Sequence, residues 1–329
     1  MKKRLLTILI TAVLPLSLQA AEIDPAVVYD LGTKFDKSFN EGVSNGAQRF
    51  TKETEISVRE FEPNNDSQIE QAIRRMAKRG SDPILSVGFS QAHAVEIVSQ
   101  EFPDTHFTII DMVVDQPNVR SVTFREEQGS FLVGALAAMA SESGKVGFVG
   151  GQDIALIRKF ACGYEQGAKY INKDVEVYQN MTGSTGAAWN NPTKGGELAK
   201  SQFDRGADVV FAAAGGTGLG VYQAAKDNGK YAIGVDSNQN HLHPGTMLTS
   251  MLKRVDNAAY DTFMAAKDGT WEPGITTLGL AEKGIGWAVD EHNEELVKPY
   301  MEKMAEIEKG IIDGSIKVHD YMSNDKCEY

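Results

Sequence analysis

The stretch Asp36-Lys37-Ser38-Phe39-Asn40 follows an apolar run, Ala26-Val27-Val28-Tyr29, and a polar loop containing Gly32. Helix-forming sequence comes directly after it, over residues 41–50. A buried strand that leads through a polar, glycine-containing loop into a helix is the unit of open parallel α/β sheets, which bind ligands at such loops. The stretch therefore predicts an α/β fold and marks a candidate binding site.

This loop carries four different polar or aromatic groups within five residues. Asp36 offers a carboxylate, Ser38 a hydroxyl, Phe39 an aromatic ring and Asn40 an amide. Such a set can hold a flat, polar small molecule, with the ring stacking on it and the polar groups reading its edges. The alternative is a capped helix start, with Asp36 or Ser38 as N-cap and Phe39 in the core. The spacing by itself leaves both interpretations open.

Strand-like and helix-like segments alternate along the rest of the chain. Short apolar runs predict strands at residues 84–87, 106–110, 145–149, 175–178, 208–213 and 231–235. An amphipathic helix is predicted after Asp66, ending at Gly80, and an Ala-rich helix over 129–141. This alternation indicates parallel sheets with right-handed crossovers. The strands are too many for one compact sheet, so two α/β lobes are expected.

Three positions are candidates for divisions between the lobes. Near residues 124–129 the strand periodicity stops and a charged turn, Arg125-Glu126-Glu127, intervenes. Two further divisions are predicted near residues 250–253 and 271–274.

The N-terminus has the pattern of a secretory signal peptide. Basic residues 2–4 precede an apolar run over 5–18, and the small pair Ala20-Ala21 follows. The apolar run is shorter than the roughly 20 residues of a membrane-spanning helix. A lipoprotein would have a cysteine at the cleavage point, and none is present there. Cleavage after Ala20 is expected to release a soluble periplasmic protein with no stable membrane insertion.

The charge of the chain argues against a nucleic-acid partner. Lys and Arg number 33 against 45 Asp and Glu, a net charge of −12. Without the three basic residues of the signal peptide the balance is 30 against 45, a net charge of −15. Such a surface repels phosphates. A chain of this length with 42% apolar residues can bury the cores of two domains.

The two cysteines, Cys162 and Cys327, allow a disulfide because export leads to an oxidising compartment. A bridge between them would pin the polar C-terminal tail. The alternative is a buried thiol at Cys162 and a free one at Cys327. Two cysteines give no zinc-finger spacing.

Three charged residues stand at the ends of predicted strands. Asp111 follows the strand over 106–110, and Asp236 follows the strand over 231–235. Carboxylates at the carboxyl ends of strands face the crevice and accept hydrogen bonds. Helix capping or solvation in a loop would also explain each of them singly. Lys253 also ends a strand and, taken alone, is typical of a solvated charge.

Two loops carry further candidates. Trp189, in a loop of small polar residues, is either covered by packing or available to a ligand. Gly215 begins Gly215-Gly216-Thr217-Gly218-Leu219-Gly220, which lacks the spacing of a dinucleotide or P-loop motif. A close backbone approach to an uncharged ribose is favoured over a phosphate cradle or a flexible turn. His241 and His243 lack a third metal ligand, so no metal and no cofactor is expected.

In chain order these stretches resemble the basic membrane protein family of ABC-transporter substrate-binding proteins, which includes purine nucleoside receptors. The matching stretches are the loop at 31–42, Ile109-Ile110-Asp111, residues 189–195, residues 206–218, Ile233-Gly234-Val235-Asp236 and residues 249–256. Together they cover most of the chain after the signal peptide. Each is weak alone, but the ordered set is specific to this family.

The resemblance implies a type I periplasmic-binding-protein fold, in which the chain crosses between two Rossmann-like lobes three times. The expected division is a signal peptide at 1–20, an N-terminal lobe of 21–125 with 253–273, and a C-terminal lobe of 126–252 with 274–329.

The resemblance also assigns roles to individual residues. Asp111 is expected to face the purine ring and Asp236 the ribose, with the Lys253 ammonium near the sugar and near Asp236. Trp189 is expected to stack on the ligand opposite Phe39, although relatives commonly carry phenylalanine in this region.

The function implied is capture of a nucleoside, a purine nucleoside in the first place, by a monomeric, non-catalytic protein that closes around it and delivers it to an ABC permease. The alternatives are a receptor for a free nucleobase, riboflavin or another aromatic heterocycle, and an exported nucleoside-processing enzyme. Such an enzyme typically needs a tight aspartate cluster that holds a metal, whereas Asp24, Asp30 and Asp36 are separate. A regulatory module of the same fold is a third alternative, but the effector domain that it would need is not expected.

Overall fold

The computed structural model describes residues 23–328. The predicted signal peptide, residues 1–20, lies outside the described residues. Within the described part, none of the helices is long and apolar enough to cross a membrane.

Twelve strands within residues 23–328 form two six-stranded sheets. The strands are β1 (Ala26–Val28), β2 (Arg59–Phe61), β3 (Ile84–Val87), β4 (Phe107–Ile110), β5 (Val119–Phe124), β6 (Lys145–Gln152), β7 (Glu176–Gly183), β8 (Val209–Ala213), β9 (Tyr231–Asp236), β10 (Met247–Lys253), β11 (Gly274–Leu278) and β12 (Ile285–Trp287). The first sheet has the order β11-β5-β4-β3-β1-β2 and the second the order β12-β10-β9-β8-β6-β7. Neighbouring strands are parallel except for β10 and β12.

Helices connect and cover the strands. They are α1 (Phe39–Thr54), α2 (Ile69–Lys78), α3 (Ala92–Glu101), α4 (Glu126–Ala140), α5 (Ala155–Ile171), α6 (Pro192–Asp204), α7 (Gly218–Asp227), α8 (Val255–Lys267), α9 (Glu294–Val297) and α10 (Met301–Ile312). In α2 the buried residues recur at helical spacing, from Ile69 through Ile73 to Met76, and so pack one face against the sheet. The predicted α/β fold with two lobes is confirmed.

The chain crosses between the lobes three times, as the fold prediction required. It leaves the first sheet after β5, returns after β10, and leaves again between β11 and β12. The last crossing differs from the predicted division near residues 271–274. Because β11 pairs with β5 over its whole length, Gly274–Leu278 belongs to the first lobe and not to the second.

Two helices from distant parts of the chain complete the first lobe together. Helix α1 packs against α8, and Gly46 lies directly on the backbone of Asp256. A Cβ at Gly46 would come within 2.1 Å of the Asp256 carbonyl oxygen. Glycine is therefore required there for the close approach of the two helices.

The predicted charged turn Arg125-Glu126-Glu127 is instead the start of a buried helix. Helix α4 begins at Glu126, and only 1% of the Glu126 surface and 3% of the Glu127 surface are exposed. Acidic side chains suit the first turn of a helix because its free N–H groups carry partial positive charge. Their burial was not expected from a charged run.

Candidate ligand-binding cleft

The carboxyl ends of the two sheets face each other across a cavity. It encloses about 550 Å³ of empty space, part of which is continuous with solvent. All eight residues singled out in the sequence line this cavity, namely Asp36, Phe39, Asn40, Asp111, Trp189, Gly215, Asp236 and Lys253. The structure thus brings them together; that they bind a ligand stays a prediction.

Asp36 fixes the loop that begins α1. Its Oδ1 accepts hydrogen bonds from the backbone N–H groups of Ser38 and Glu41, at 2.8 and 3.1 Å, and its Oδ2 accepts one from Asn40 at 3.0 Å. Burial raises the pKa of Asp36 to about 6, although the three N–H groups oppose the shift. The helix-cap interpretation is therefore partly right. Ser38 is the N-cap residue but its side chain makes no cap bond, whereas Asp36 accepts bonds from N–H groups of the first turn and also lines the cavity.

The side chain of Asn40 is also committed to its own loop. Its Oδ1 accepts a bond from the Asp30 N–H at 3.1 Å, and its Nδ2 donates to the carbonyl oxygens of Asp30 and Thr33, both at 3.2 Å. Asn40 thus pins the loop between β1 and α1 from inside. Its part in ligand binding would be to hold that loop in place.

Hydrogen bonds from this loop join the two lobes beside the cavity. Ser38 Oγ donates to Asp236 Oδ2 and to the Val235 carbonyl oxygen. Gln239 Nε2 donates to the Lys37 carbonyl oxygen at 2.9 Å. The loop before α1 and the end of β9 therefore form one wall, although they belong to different lobes.

Lys253 forms ion pairs that differ from the expected one. Its Nζ lies 2.7 Å from Asp111 Oδ2 and 2.9 Å from Glu126 Oε1. No pair with Asp236 is formed among the described residues, although the charge of Lys253 lowers the pKa of Asp236 against the stronger effect of burial. The end of β10 lies beside the start of α4, so Glu126 occupies the place that Asp236 was expected to take.

Asp111 keeps one acceptor free of protein partners. Its Oδ2 is held by Lys253, whereas Oδ1 is buried and has no hydrogen-bond partner among residues 23–328. Burial raises the pKa of Asp111 to about 6, with Lys253 acting in the opposite direction. A buried acceptor without a partner is costly, so a donor from a ligand would be well matched here.

The aromatic candidates come from opposite lobes. Phe39 begins α1 of the first lobe, and Trp189 ends a short 3₁₀ turn, Gly186–Trp189, in the second lobe, where a plain loop was expected. The Trp189 ring packs against Gly151, where a Cβ would lie 2.1 Å from Trp189 Cζ3. The tryptophan is therefore both partly covered by packing and part of the cavity wall.

The cavity has further lining residues that sequence reasoning missed. They are Asp30, Leu31, Phe89, Leu156, Ile157, Phe160, Ala213, Ala214 and Val235. Asp30 lies two residues after β1, so the strand-end argument used for Asp111 would have found it. Leu156, Ile157 and Phe160 lie on one face of α5, a spacing that shows a helix face but not what that face meets.

Asp30 is an additional carboxylate of the cavity. Its Oδ1 accepts hydrogen bonds from the Leu31 N–H at 2.8 Å and from Ser90 Oγ at 2.9 Å. Burial raises its pKa to about 7, more than these two bonds lower it. Burial thus favours the protonated form of Asp30.

The remaining candidates, two cysteines and two histidines, lie outside the cavity lining. Cys162 and Cys327 form a disulfide, with Cα atoms 5.5 Å apart, that ties the C-terminal tail to α5. His241 is exposed and His243 lies two residues further on, outside the cavity lining. In the described part of the chain no group of His, Cys, Asp and Glu side chains could hold a metal ion.

Comparison with known proteins identifies the family of the chain. The family of ABC transporter substrate-binding proteins described as PnrA-like matches residues 23–321. Basic membrane protein D of Borreliella burgdorferi is 33% identical over 299 residues, which cover 88% of this chain and 86% of that protein. The CD4+ T-cell-stimulating antigen of Listeria monocytogenes is 32% identical over 317 residues, which cover 89% of this chain and 87% of that protein.

A solved structure agrees with these matches. An ABC transporter solute-binding protein from Aeropyrum pernix superposes with a TM-score of 0.83 at 28% identity, covering 92% of this chain and 95% of that one. The chain therefore belongs to the PnrA-like family of ABC transporter substrate-binding proteins, and the resemblance to the basic membrane proteins is confirmed. Proteins of this family bind a small molecule outside the cytoplasm for a membrane permease and are not enzymes.

Proposed function

We propose that this protein captures a purine nucleoside in the periplasm and presents it, as a monomer, to an ABC importer. Family membership supports the transport role. The ligand class rests on the cavity between the lobes. Closure of two lobes around a small molecule is the usual mechanism for such an architecture.

The walls of the cavity favour a planar ligand. Phe39 and Phe89 from the first lobe and Trp189 and Phe160 from the second surround it. Stacking of a base on an aromatic side chain contributes roughly 1–3 kcal/mol. Micromolar affinity needs about 8 kcal/mol, so one or two stacked faces would supply a substantial part of it.

The charges of the cavity favour a ligand that is uncharged and rich in donors. Asp30, Asp36, Asp111 and Asp236 line the cavity, and Lys253 is the basic residue of its described lining. The Lys253 ammonium is already paired with carboxylates. A phosphate would therefore be repelled, whereas ring N–H groups and ribose hydroxyls would find acceptors.

The observation that carries the proposal is the buried Oδ1 of Asp111, which has no partner among the described residues. A ring N–H such as the one at N1 of hypoxanthine or guanine would satisfy it. Asp236 and the backbone at Gly215 lie on the same cavity and would take the sugar hydroxyls. A free sugar could not use the aromatic walls.

Isothermal titration with inosine, guanosine, adenosine, cytidine, adenine and ribose tests this proposal. At least one purine nucleoside should bind, and free ribose should bind far more weakly. Mass spectrometry of ligand carried through purification should identify the natural compound, with its glycosidic bond intact. Binding of a free nucleobase, riboflavin, an amino acid or a sugar in place of every nucleoside would overturn the ligand class.

A further inference from the structure

Four charged side chains form a buried chain of ion pairs that begins in the cavity and runs into the second lobe. We name it the hinge charge cluster, consisting of Asp111, Lys253, Glu126 and Lys159. Lys253 Nζ lies 2.7 Å from Asp111 Oδ2 and 2.9 Å from Glu126 Oε1, and Lys159 Nζ lies 2.9 Å from Glu126 Oε2. Of these four residues, Glu126 and Lys159 lie outside the cavity lining.

The cluster sits where the chain passes between the lobes. Glu126 is the first residue of α4, directly after the first crossing, and Lys253 is the last residue of β10, directly before the second. Asp111 follows β4 in the first lobe, and Lys159 lies on α5 in the second. The ion pair of Glu126 with Lys253 therefore connects two crossings. The outer members of the cluster, Asp111 and Lys159, belong to the first and the second lobe, respectively.

Aromatic rings enclose the Lys253 ammonium on its other sides. The nitrogen lies 5.1 Å from the ring centroids of Phe39 and Phe124 and 5.6 Å from that of Phe160. Rings attract a cation but accept no strong hydrogen bond from it. The two carboxylates, at 2.7 and 2.9 Å, therefore fix the position of the ammonium.

Glu126 keeps its negative charge in spite of its burial. Burial opposes ionisation, but Lys253 and Lys159 together hold the pKa of Glu126 below its ordinary value. Lys159 is itself held by the Phe124 carbonyl oxygen, at 2.8 Å. The two ammonium groups thus favour the ionised form of Glu126, and Lys253 Nζ is shared between Glu126 Oε1 and Asp111 Oδ2.

We infer that Glu126 is a positioning residue for ligand capture, which draws the Lys253 ammonium to one side of Asp111 and so keeps Asp111 Oδ1 free for a ligand donor. This inference rests on the proposed function. Without the charge of Glu126, the ammonium moves toward Asp111, its remaining ion-pair partner, and bonds to both of its oxygens. The acceptor that a nucleoside would use is then occupied.

The test compares Glu126→Gln with Glu127→Gln. Glu127 is the matched control because it is buried in the same helical turn and lies 3.2 Å from Lys159 Nζ but makes no ion pair with Lys253 within the described structure. Glu126→Gln should weaken inosine binding at least about tenfold, and Glu127→Gln less than about threefold. Melting temperatures report whether each variant is folded. Equal losses for the two variants would overturn the inference.

A double-mutant cycle separates positioning from a general structural effect. In a Lys253→Met background, Glu126→Gln should cost less than about a further twofold, because its effect passes through Lys253. A loss as large as in the wild-type background would overturn the inference. Should Glu126→Gln not fold, Glu126→Asp replaces it in both the wild-type and the Lys253→Met background, so that the cycle still compares the same change.

A crystal structure of unliganded Glu126→Gln gives a result that needs no nucleoside. The Lys253 ammonium should lie within hydrogen-bond distance of both Asp111 oxygens. An ammonium left at its wild-type position would overturn the inference, whatever the ligand. Conversely, a displaced ammonium in a protein that binds no nucleoside would uphold the positioning role and reject the proposed function.

Discussion

Asp111 and Asp236 end strands of opposite lobes, and both have left-handed backbone conformations, with φ of 73° for Asp111 and 64° for Asp236. Residues other than glycine rarely adopt this region, and Asp and Asn do so more readily than others. Backbone strain of this kind concentrates at functional sites. Asn is therefore the proper test substitution at both positions, because Ala would add strain to the loss of the carboxylate.

The Asp111→Asn variant should change the preference among purine nucleosides. An ionised carboxylate only accepts hydrogen bonds, whereas an amide can also donate. Inosine and guanosine, which have a donor at N1, should bind at least about tenfold more weakly, since a charge-assisted bond is lost. Adenosine, which has an acceptor at N1, should lose much less or gain.

Titration calorimetry of the Asp111→Asn variant with the three nucleosides measures this difference, with Asp30→Asn tested in parallel. Equal losses for adenosine and guanosine would show that Asp111 does not read the N1 edge. If the selectivity changed in Asp30→Asn instead, the base would face Asp30 and not Asp111.

Asp30→Asn should stabilise the unliganded protein at alkaline pH. Folding raises the pKa of Asp30 to about 7 through burial. An acid whose pKa is raised on folding contributes stability below its unfolded pKa and loses it as pH rises through the folded value. Asn does not titrate, and its Oδ1 can still accept the bonds from Leu31 and Ser90. The advantage of the variant should therefore grow between about pH 4 and 7 and level off above, reaching a few kcal/mol at most.

Thermal unfolding of wild type and Asp30→Asn across this pH range gives the comparison. The difference in melting temperature should be smallest at the acidic end. A constant difference would mean that the carboxylate of Asp30 does not titrate abnormally and that any change comes from packing.

Gly151→Ala should weaken nucleoside binding because the added methyl group displaces the Trp189 ring. The added methyl would lie 2.1 Å from Trp189 Cζ3 and 2.4 Å from Trp189 Cε3, so the ring must move. Loss of one stacked face costs roughly 1–3 kcal/mol, which is at least about fivefold in affinity. Calorimetry with the best-binding nucleoside measures the loss.

Gly286→Ala is the matched control for this change. It also lies on a strand of the second sheet, but a Cβ there meets nothing within 4 Å. Affinity should stay within about twofold of wild type. If both variants bound as tightly as wild type, Trp189 would be a packing residue without a role in binding.

Removal of the disulfide should lower stability. The Cys162–Cys327 bridge closes a loop with a sequence separation of 165 residues, and native disulfides commonly contribute about 2–5 kcal/mol. The tail that it holds makes further bonds, with Gln166 and the His319 backbone joined at 2.8 and 2.9 Å. Cys327→Ser should therefore lower the melting temperature, and a reducing agent should do the same to wild type but not to the variant. An unchanged melting temperature would show that the tail is held by its other contacts.

The sequence predicted the residues that line the cavity better than the ion pairs around it. Strand-end position put each of Asp111, Asp236 and Gly215 at the carboxyl edge of its own sheet, and the ordered motifs indicated that the two edges face one cleft. Asp30 obeys the same rule but is not among the predicted site residues. The pairing of Lys253 with Glu126 could not be predicted. It depends on how closely the first crossing of the chain, before Glu126, lies to the second crossing, after Lys253.

Two errors have a common physical origin. A run such as Arg125-Glu126-Glu127 is usually solvated, and only the packing of α4 against α5 shows that its glutamates are buried and matched by Lys159. Strand β11 is short and mostly exposed, so it carries no hydrophobic pattern that assigns it to either lobe. In both cases the decisive partner is remote in sequence.

The close packing of α1 on α8 and the pairing of β11 with β5 have a consequence for how the molecule is made. A polypeptide emerges from its N-terminus, yet the first lobe lacks a helix and an edge strand until Leu278 has appeared. By then every strand of the second sheet except β12 has already been synthesised. The first lobe therefore receives its last strand only shortly before the second does, and the two halves of the binding cleft become complete at nearly the same point of synthesis.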